Sequence, residues 1–421
     1  ALPYSYSSVL MSTGHCYKNK HQELEELADQ HTSFTYIHNA YPIQQLDAIA
    51  AGTEVAIMGI GLTFVDVALQ LTEGRGGVFY YTEEGELAYR PSGTEPILFP
   101  FSRTNLPMIP RKGFVQSDSH YKPYLMTEAW VEDLLKRPGQ LNFNRDILPT
   151  VEQEVRCAFY AWELQEDNLD AKDLLAHIAT LKDANFSIYS LFQPFKDMEE
   201  SQMAYFQEHS IDLMNYVFSK FKKSDAKDGF LHSLQAVRHC WTQLRKLYNF
   251  NNLDPDSHAK FDSFWSSDFS RICFGPPFFH MEKIFCLVKA GIIQFRFAEA
   301  PTFSYNDASL QLTSAHFQKS FSTFIDARIP RGNLKQQNNK LYANLLHRGI
   351  ISELCNGDYH TGALAINAAG KSVNQPEALL YFYGTPTEGS VLDNDSLSRN
   401  TYNYGIYWAQ ETADKYTFKN Q

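Results

Sequence analysis

Thiol chemistry has little to work with in this sequence. Its six cysteines, Cys16, Cys157, Cys240, Cys273, Cys286 and Cys355, are scattered over 421 residues without a Cys-x-x-Cys pair. That excludes a disulfide framework and a thiolate metal centre, and leaves reduced cysteines in a cytoplasmic protein. His15–Cys16 and His239–Cys240 are adjacent pairs, and neighbouring residues rarely point at one ion, so no metal site is expected. Long apolar runs are also missing: none reaches the roughly 18 residues that a membrane span needs. Basic charge is short, with 37 Lys and Arg against 48 Asp and Glu, a net charge of −11. A nucleic acid or an acidic membrane would require a basic face, so neither is an expected partner. There are no internal repeats or low-complexity tracts, and no general base stands out.

What remains is ordinary for a globular chain long enough for two or three domains, with 44% hydrophobic and 20% charged residues. Aromatics are plentiful, 31 Phe and 24 Tyr, which serves a core and also suits binding of planar rings. The partner these features point to is a small molecule.

One stretch carries recognisable chemistry. "VAIMGIGLTFVDVALQL", residues 55–71, reads as a strand, a Gly59-x-Gly61 turn and the start of a helix. Gly59 permits the tight turn. Gly61, lacking a side chain, lets a pyrophosphate approach the backbone, and the helix N-terminus at Leu62 and Thr63 offers N–H groups and a positive dipole end. Where a third small residue usually lets helix and strand pack closely, this chain has Phe64.

The next core strand should end near the ribose, and two stretches compete for it. "VFYYTEE" would bring Glu83 or Glu84 to the ribose hydroxyls of NAD. "ILFPFSR" would bring Ser102 and Arg103 to the extra phosphate of NADP, with Arg111 and Lys112 close behind. The second is favoured, because "YYTEEGELAYRPSG" closes on itself as a hairpin.

Elsewhere "QELEELADQ" reads as a short helix, and five stretches between about 126 and 291 carry apolar residues at three–four spacing. Strand periods return with "IIQFRFAEA", "SYNDASLQLTS" and "FSTFIDARI". A helix in "QNNKLYANLLHRGI", a hairpin, the strand "ALLYFYG" and a final helix follow. Near the start, "SSVLMSTGHC" reads as a strand running straight into a turn, as if the chain began inside a domain.

"VAIMGIGLTFVDVAL" together with "FSRTNLPMIPR" resembles the bacterial FAD/NAD(P)-binding proteins that carry a Gly-x-Gly-Leu-Thr-x-x-Asp turn and a Ser-Arg-x-x-Leu-Pro loop. Flavin-dependent amine N-oxygenases are among their relatives. "SSVLMSTGHC" is similar to the strand such proteins use between FAD and NAD(P) domains, with Ser12 in place of an alanine. "FIDAR" is similar to their late strand, and "YFYGTPTEG" to the last strand of the FAD domain. The resemblance implies that Thr13, Gly14, Gly384, Glu388 and Gly389 border a flavin. It implies an α/β fold: a Rossmann-like NAD(P)-binding domain of three layers around a central parallel sheet, a remnant of an FAD domain, and a mostly helical insert. The expected divisions are 1–45 (FAD-domain segment), 46–125 (NAD(P) binding), 126–291 (helical insert), 292–350 (return to the NAD(P) domain) and 351–421 (FAD-domain segment).

On this reading the Gly59 turn is the second nucleotide fold, and the first belongs to an N-terminal FAD-binding segment of a longer protein. The expected cofactors are NADP, with NAD as the alternative, and FAD in the full-length protein. The expected activity is a flavin-dependent oxidoreductase, a monooxygenase of an amine or amino acid. The competing class is a dinucleotide-binding module or partner subunit without turnover.

Overall fold

The computed structural model describes residues 6–15, 21–111, 121–222, 228–306, 308–329, 333–335, 339–394, 402 and 404–417. Cys16 and Lys112 lie outside the described residues. In chain order the strands are β1 (Ser8–Met11), β2 (Thr35–Ile37), β3 (Glu54–Met58), β4 (Val78–Tyr81), β5 (Leu87–Arg90) and β6 (Ile97–Phe101). After a long helical stretch come β7 (Thr302–Asn306), β8 (Ser309–Ser314), β9 (Phe317–Phe321) and β10 (Thr323–Asp326). Last are β11 (Glu353–Asn356), β12 (Tyr359–Leu364) and β13 (Leu379–Phe382).

The fold is mixed α/β. Four strands make a parallel sheet in the order β2-β10-β3-β6. Both faces are covered, as a parallel sheet requires. Alternation along each strand sorts the side chains: Val55, Ile57, Leu98 and Ile325 face one way and pack with Phe64, Val67 and Ala68 of the helix Leu62–Gln70 and with Ile284 and Leu287 of the helix Phe278–Lys289. Ala56, Met58, Phe99, Phe101 and Phe324 face the other way, onto Leu24 and Leu27 of the helix Gln22–Gln30 and onto Leu310, Leu312 and Phe321 of the antiparallel β7-β8-β9 sheet.

The question of the second strand is resolved by pairing. β6 lies directly beside β3 in parallel register, whereas β4 and β5 form a separate antiparallel hairpin with Glu83 and Glu84 exposed in its turn. One strand expectation fails. "IIQFRFAEA" makes a single bridge, Ile293 to Leu98, and no strand. Its alternating Ile293, Phe295 and Phe297 are buried, but Ile293 and Phe295 join one core and Phe297 the other. The segment is a strap that crosses the sheet edge, and apolar alternation alone does not distinguish a strap from a strand.

Helices occupy the span from Glu128 to Lys289, with no strand among its described residues. Their core is built on Leu148–Glu163 against Gly229–Tyr248, where Val151, Val155 and Ala158 meet Leu234, Val237 and Leu244 at helical spacing. β1 and β13 form a two-stranded parallel pair apart from the main sheet. Among the described residues no helix is long and apolar enough to cross a membrane.

Glu154 anchors the helical core. Its side chain is fully buried and accepts from Tyr121 Oη at 2.5 Å and from the backbone N–H groups of Tyr124, Leu125 and Met126 at 2.9, 2.6 and 2.9 Å. Glu154→Ala leaves the buried Met126 N–H, the part-buried Tyr124 and Leu125 N–H groups and the Tyr121 hydroxyl without their acceptor, at a cost of about 1 kcal/mol each. We expect a destabilisation of about 3 kcal/mol or more, read as a fall in the urea midpoint.

Candidate functional site

The glycine turn stands at the carboxyl edge of the parallel sheet. β3 ends at Met58, Gly59 takes φ +110°, and Gly61 is the N-cap of the helix Leu62–Gln70. The two glycines do different work. A Cβ on Gly59 would lie 3.0 Å from Cγ of Arg328 and 3.2 Å from the Ala327 carbonyl carbon, so this glycine lets the turn press against the chain leaving β10. A Cβ on Gly61 would meet nothing within 4 Å. That open space, beside a helix whose N-cap contributes no side-chain hydrogen bond, leaves first-turn N–H groups for an anion. Leu62 is 48% exposed at the same turn, while Thr63 and Phe64 are buried. Asp66 accepts from the Tyr41 hydroxyl at 2.5 Å. Burial first, and then the Asp66 carboxylate, push the Tyr41 phenol up to about 12.

The arginine whose backbone and Cγ abut the turn is one the sequence reading passed over. Arg328 donates to Asp326 at 2.9 and 2.7 Å and to His21 Nε2 at 2.9 Å. Its clue was "FIDAR", read only as a strand.

The structure gives Arg103 and Arg111 different neighbours. Ser102 and Asn105 close the loop after β6 reciprocally: Ser102 N donates to Asn105 Oδ1 at 2.6 Å and Asn105 N to Ser102 Oγ at 2.9 Å. Arg103 then donates to the Phe264 carbonyl at 3.0 Å and to Ser267 Oγ, with its guanidinium over the Phe264 ring. Arg111 is held by its backbone, N–H to Pro276 O at 2.9 Å and carbonyl to Phe278 N at 3.0 Å. It lines a cavity of about 300 Å³ together with Arg238, His239 and Arg245.

The turns after β1 and β13 come together because the two strands are parallel neighbours. Thr13 Oγ1 shares a 2.9 Å hydrogen bond with Tyr342 Oη, and His15 Nε2 lies 3.4 Å from Thr385 Oγ1. Gly14 and Gly384 both adopt positive φ, +66° and +87°. Glu388 is buried and accepts from the backbone N–H groups of Asp393 and Asn394. Gly389 sits where a Cβ would come 3.0 Å from Ala363 Cβ. Glu388 and Gly389 therefore shape the turn from within, while Thr13 and Gly14 stand exposed at its rim. Glu353, Cys355 and His360 also cluster on β11 and β12, within 4.8 Å of one another, and the Lys335 ammonium holds Glu353 at 2.6 Å.

No protein-family model matches the chain. It is similar to a nitrosuccinic acid synthase of Aspergillus oryzae, 24% identical over 91% of this chain and 64% of the relative. It is similar to the L-aspartate N-monooxygenase (nitrosuccinate-forming) of Streptomyces davaonensis, 25% identical over 90% of this chain and 64% of the relative. A Streptomyces cremeus protein of the same description is 25% identical over 82% of this chain and 57% of its own length. The chain thus spans less than two thirds of the length of each of these relatives.

The glycine turn generates a paired test. Gly61→Val, placed in open space at φ −90°, should leave the melting temperature nearly unchanged and abolish NADPH binding in calorimetry. Gly59→Ala, strained at φ +110° and crowded by Arg328, should lower the melting temperature as well. Unaltered NADPH affinity in Gly61→Val would show that the turn holds no phosphate.

Proposed function

We propose that this chain forms the NAD(P)H-binding part, and a share of the flavin-binding part, of a flavin-dependent N-monooxygenase acting on an amino acid. The observation that carries the reading is the strand–Gly59-x-Gly61–helix turn on a parallel sheet, in a chain similar over 82–91% of its length to N-monooxygenases and a nitrosuccinic acid synthase. The sheet is Rossmann-like in this reading. Gly61, Leu62 and Thr63 receive the dinucleotide pyrophosphate. Ser102 and Arg103 lie past the end of β6, which favours NADPH over NADH. The β1–β13 turns, with Thr13, Gly14 and Gly384, border the FAD. β13 also pairs with residues 370–372 on its other side, and in this reading a further polypeptide segment beside β1 completes the flavin site.

When bound, NAD(P)H and flavin together supply two electrons, with which dioxygen places one atom on the substrate nitrogen and releases the other as water. The chain's residues bind, orient and exclude solvent. The substrate named for two of the relatives is L-aspartate, and it is the first candidate here. The five described cysteines are free thiols, which fits a cytoplasmic enzyme.

In the protein that also carries the completing segment, and with FAD supplied, L-aspartate should accelerate NADPH consumption and yield an N-oxygenated product by mass spectrometry, and L-lysine should not. NADPH binding without any amino-acid-dependent consumption would instead favour a dinucleotide-binding module. Charge-assisted bonds contribute on the order of 1.5–3 kcal/mol, so Arg103→Ala should weaken NADPH at least tenfold and NADH little. Equal loss for both would remove Arg103 from the 2′-phosphate site.

A further inference from the structure

The cavity of about 300 Å³ beside Arg111 has a charge opposite to that of the protein around it. Its lining includes Arg111, Arg238 and Arg245, with Gln235, His239 and Thr242 as polar neighbours and, among the described residues, no carboxylate. The chain as a whole carries −11.

Two separate parts of the fold build this set. Arg238 and Arg245 are seven residues apart on the helix Gly229–Tyr248, which puts them on one face two turns apart. Arg111 comes from the far end of the loop after β6. Arg238 Nη2 donates to the Pro110 carbonyl at 3.3 Å, which ties that loop to the helix. Asp393, outside the lining, lies 3.1 Å from Arg245 Nε. His239 Nε2 donates to the Met126 carbonyl at 2.8 Å, which fixes its tautomer. Burial pushes the Cys273 thiol up to about 12; Arg238 and Arg111 pull it down, Asp393 pushes it up, and Arg245 pulls it down more weakly. Trp241, Phe274 and Tyr121 supply apolar walls, which strengthen the field inside.

We propose that this cavity is a dicarboxylate site, with Arg111, Arg238 and Arg245 as the residues that select a small molecule bearing two carboxylates. Guanidiniums meet carboxylates through two parallel N–H donors. Spread over two helical turns and a facing loop, they suit two anionic groups held apart better than one compact phosphate. The volume matches a small metabolite rather than a dinucleotide. The identity of that dicarboxylate as the amino acid undergoing oxidation rests on the N-monooxygenase reading; the site itself does not.

The test is calorimetric titration of the protein with succinate and with L-aspartate, alongside NADPH. Both dicarboxylates should bind, butyrate should bind at least tenfold more weakly, and Arg111→Gln, Arg238→Gln and Arg245→Gln should each weaken the dicarboxylates tenfold or more. Arg238 and Arg245 also hold Pro110 and Asp393, so melting curves accompany all three variants. Arg111, whose side chain is exposed, is the substitution the fold should tolerate best. If Arg111→Gln leaves dicarboxylate affinity intact and weakens NADPH instead, the cavity is a phosphate site and the proposal fails. If neither dicarboxylate binds while L-aspartate still drives NADPH consumption, the proposal fails and the N-monooxygenase reading stands. If the arginine-dependent binding is found but L-aspartate drives no consumption, the site stands and that reading fails.

Discussion

The Ile109 carbonyl rests on Gly275 with no room between them: a Cβ on that glycine would sit 1.6 Å from the oxygen. Much of the site geometry depends on this backbone contact. Around it the loop after β6 and the segment 271–278 run side by side, Ile109 N to Arg271 O at 3.0 Å and Arg111 N to Pro276 O at 2.9 Å. Main-chain pairing of this kind cannot slide by a fraction of a residue. It fixes the carboxyl edge of the parallel sheet against the helices, and with it where Arg111 emerges. A loop held only by side chains would leave that guanidinium to wander, and a charged group one ångström out of place loses much of its value to a ligand.

The helix Gly229–Tyr248 carries the consequence across the molecule. Near its middle, Arg238 reaches Pro110 in the loop after β6. At its end, Arg245 meets Asp393, and just beyond it Asn249 Oδ1 accepts from Leu392 N at 2.9 Å while Phe250 N donates to Ser390 O at 2.9 Å. Those partners belong to the turn that follows β13. One rigid element thus touches the loops leaving both parallel assemblies. Ligands of open α/β sheets gather beyond the carboxyl ends of the strands. A cavity on the face of a helix that spans two such ends lies where ligands of such sheets gather.

Much of the fold was legible because its signals are local. "QELEELADQ" became the helix Gln22–Gln30, and the strand–turn–helix at Gly59 formed where glycine spacing put it. The hairpin around Glu83 and Glu84 closed as its turn residues required, which left β6 to pair with β3. The failures are non-local. Ile293, Phe295 and Phe297 alternate like a strand but serve two different cores. Arg328 joins the glycine turn across more than 260 residues of chain, and no local pattern announces that contact. The arginine cavity was illegible for the same reason. Arg238 and Arg245 share one helix, and only the folded chain lays the loop bearing Arg111 beside them.

The contrast between the acidic chain and its basic cavity has a physical resolution. At physiological salt, exposed charges are screened beyond about 8 Å, so the surface excess of carboxylates contributes little to the potential at a recessed point. What acts there is the near field of Arg111, Arg238 and Arg245, set between Trp241, Phe274 and Tyr121. The apolar walls thin the water that would damp it on their side, and the pairing of Arg245 with Asp393 limits the cost of crowding three like charges together. A second carboxylate on an entering molecule adds a further guanidinium contact, whereas a single-charged analogue leaves positive charge unmatched in a partly desolvated place. Discrimination between one and two carboxylates therefore arises inside the cavity, from the penalty on the incomplete ligand as much as from attraction to the complete one.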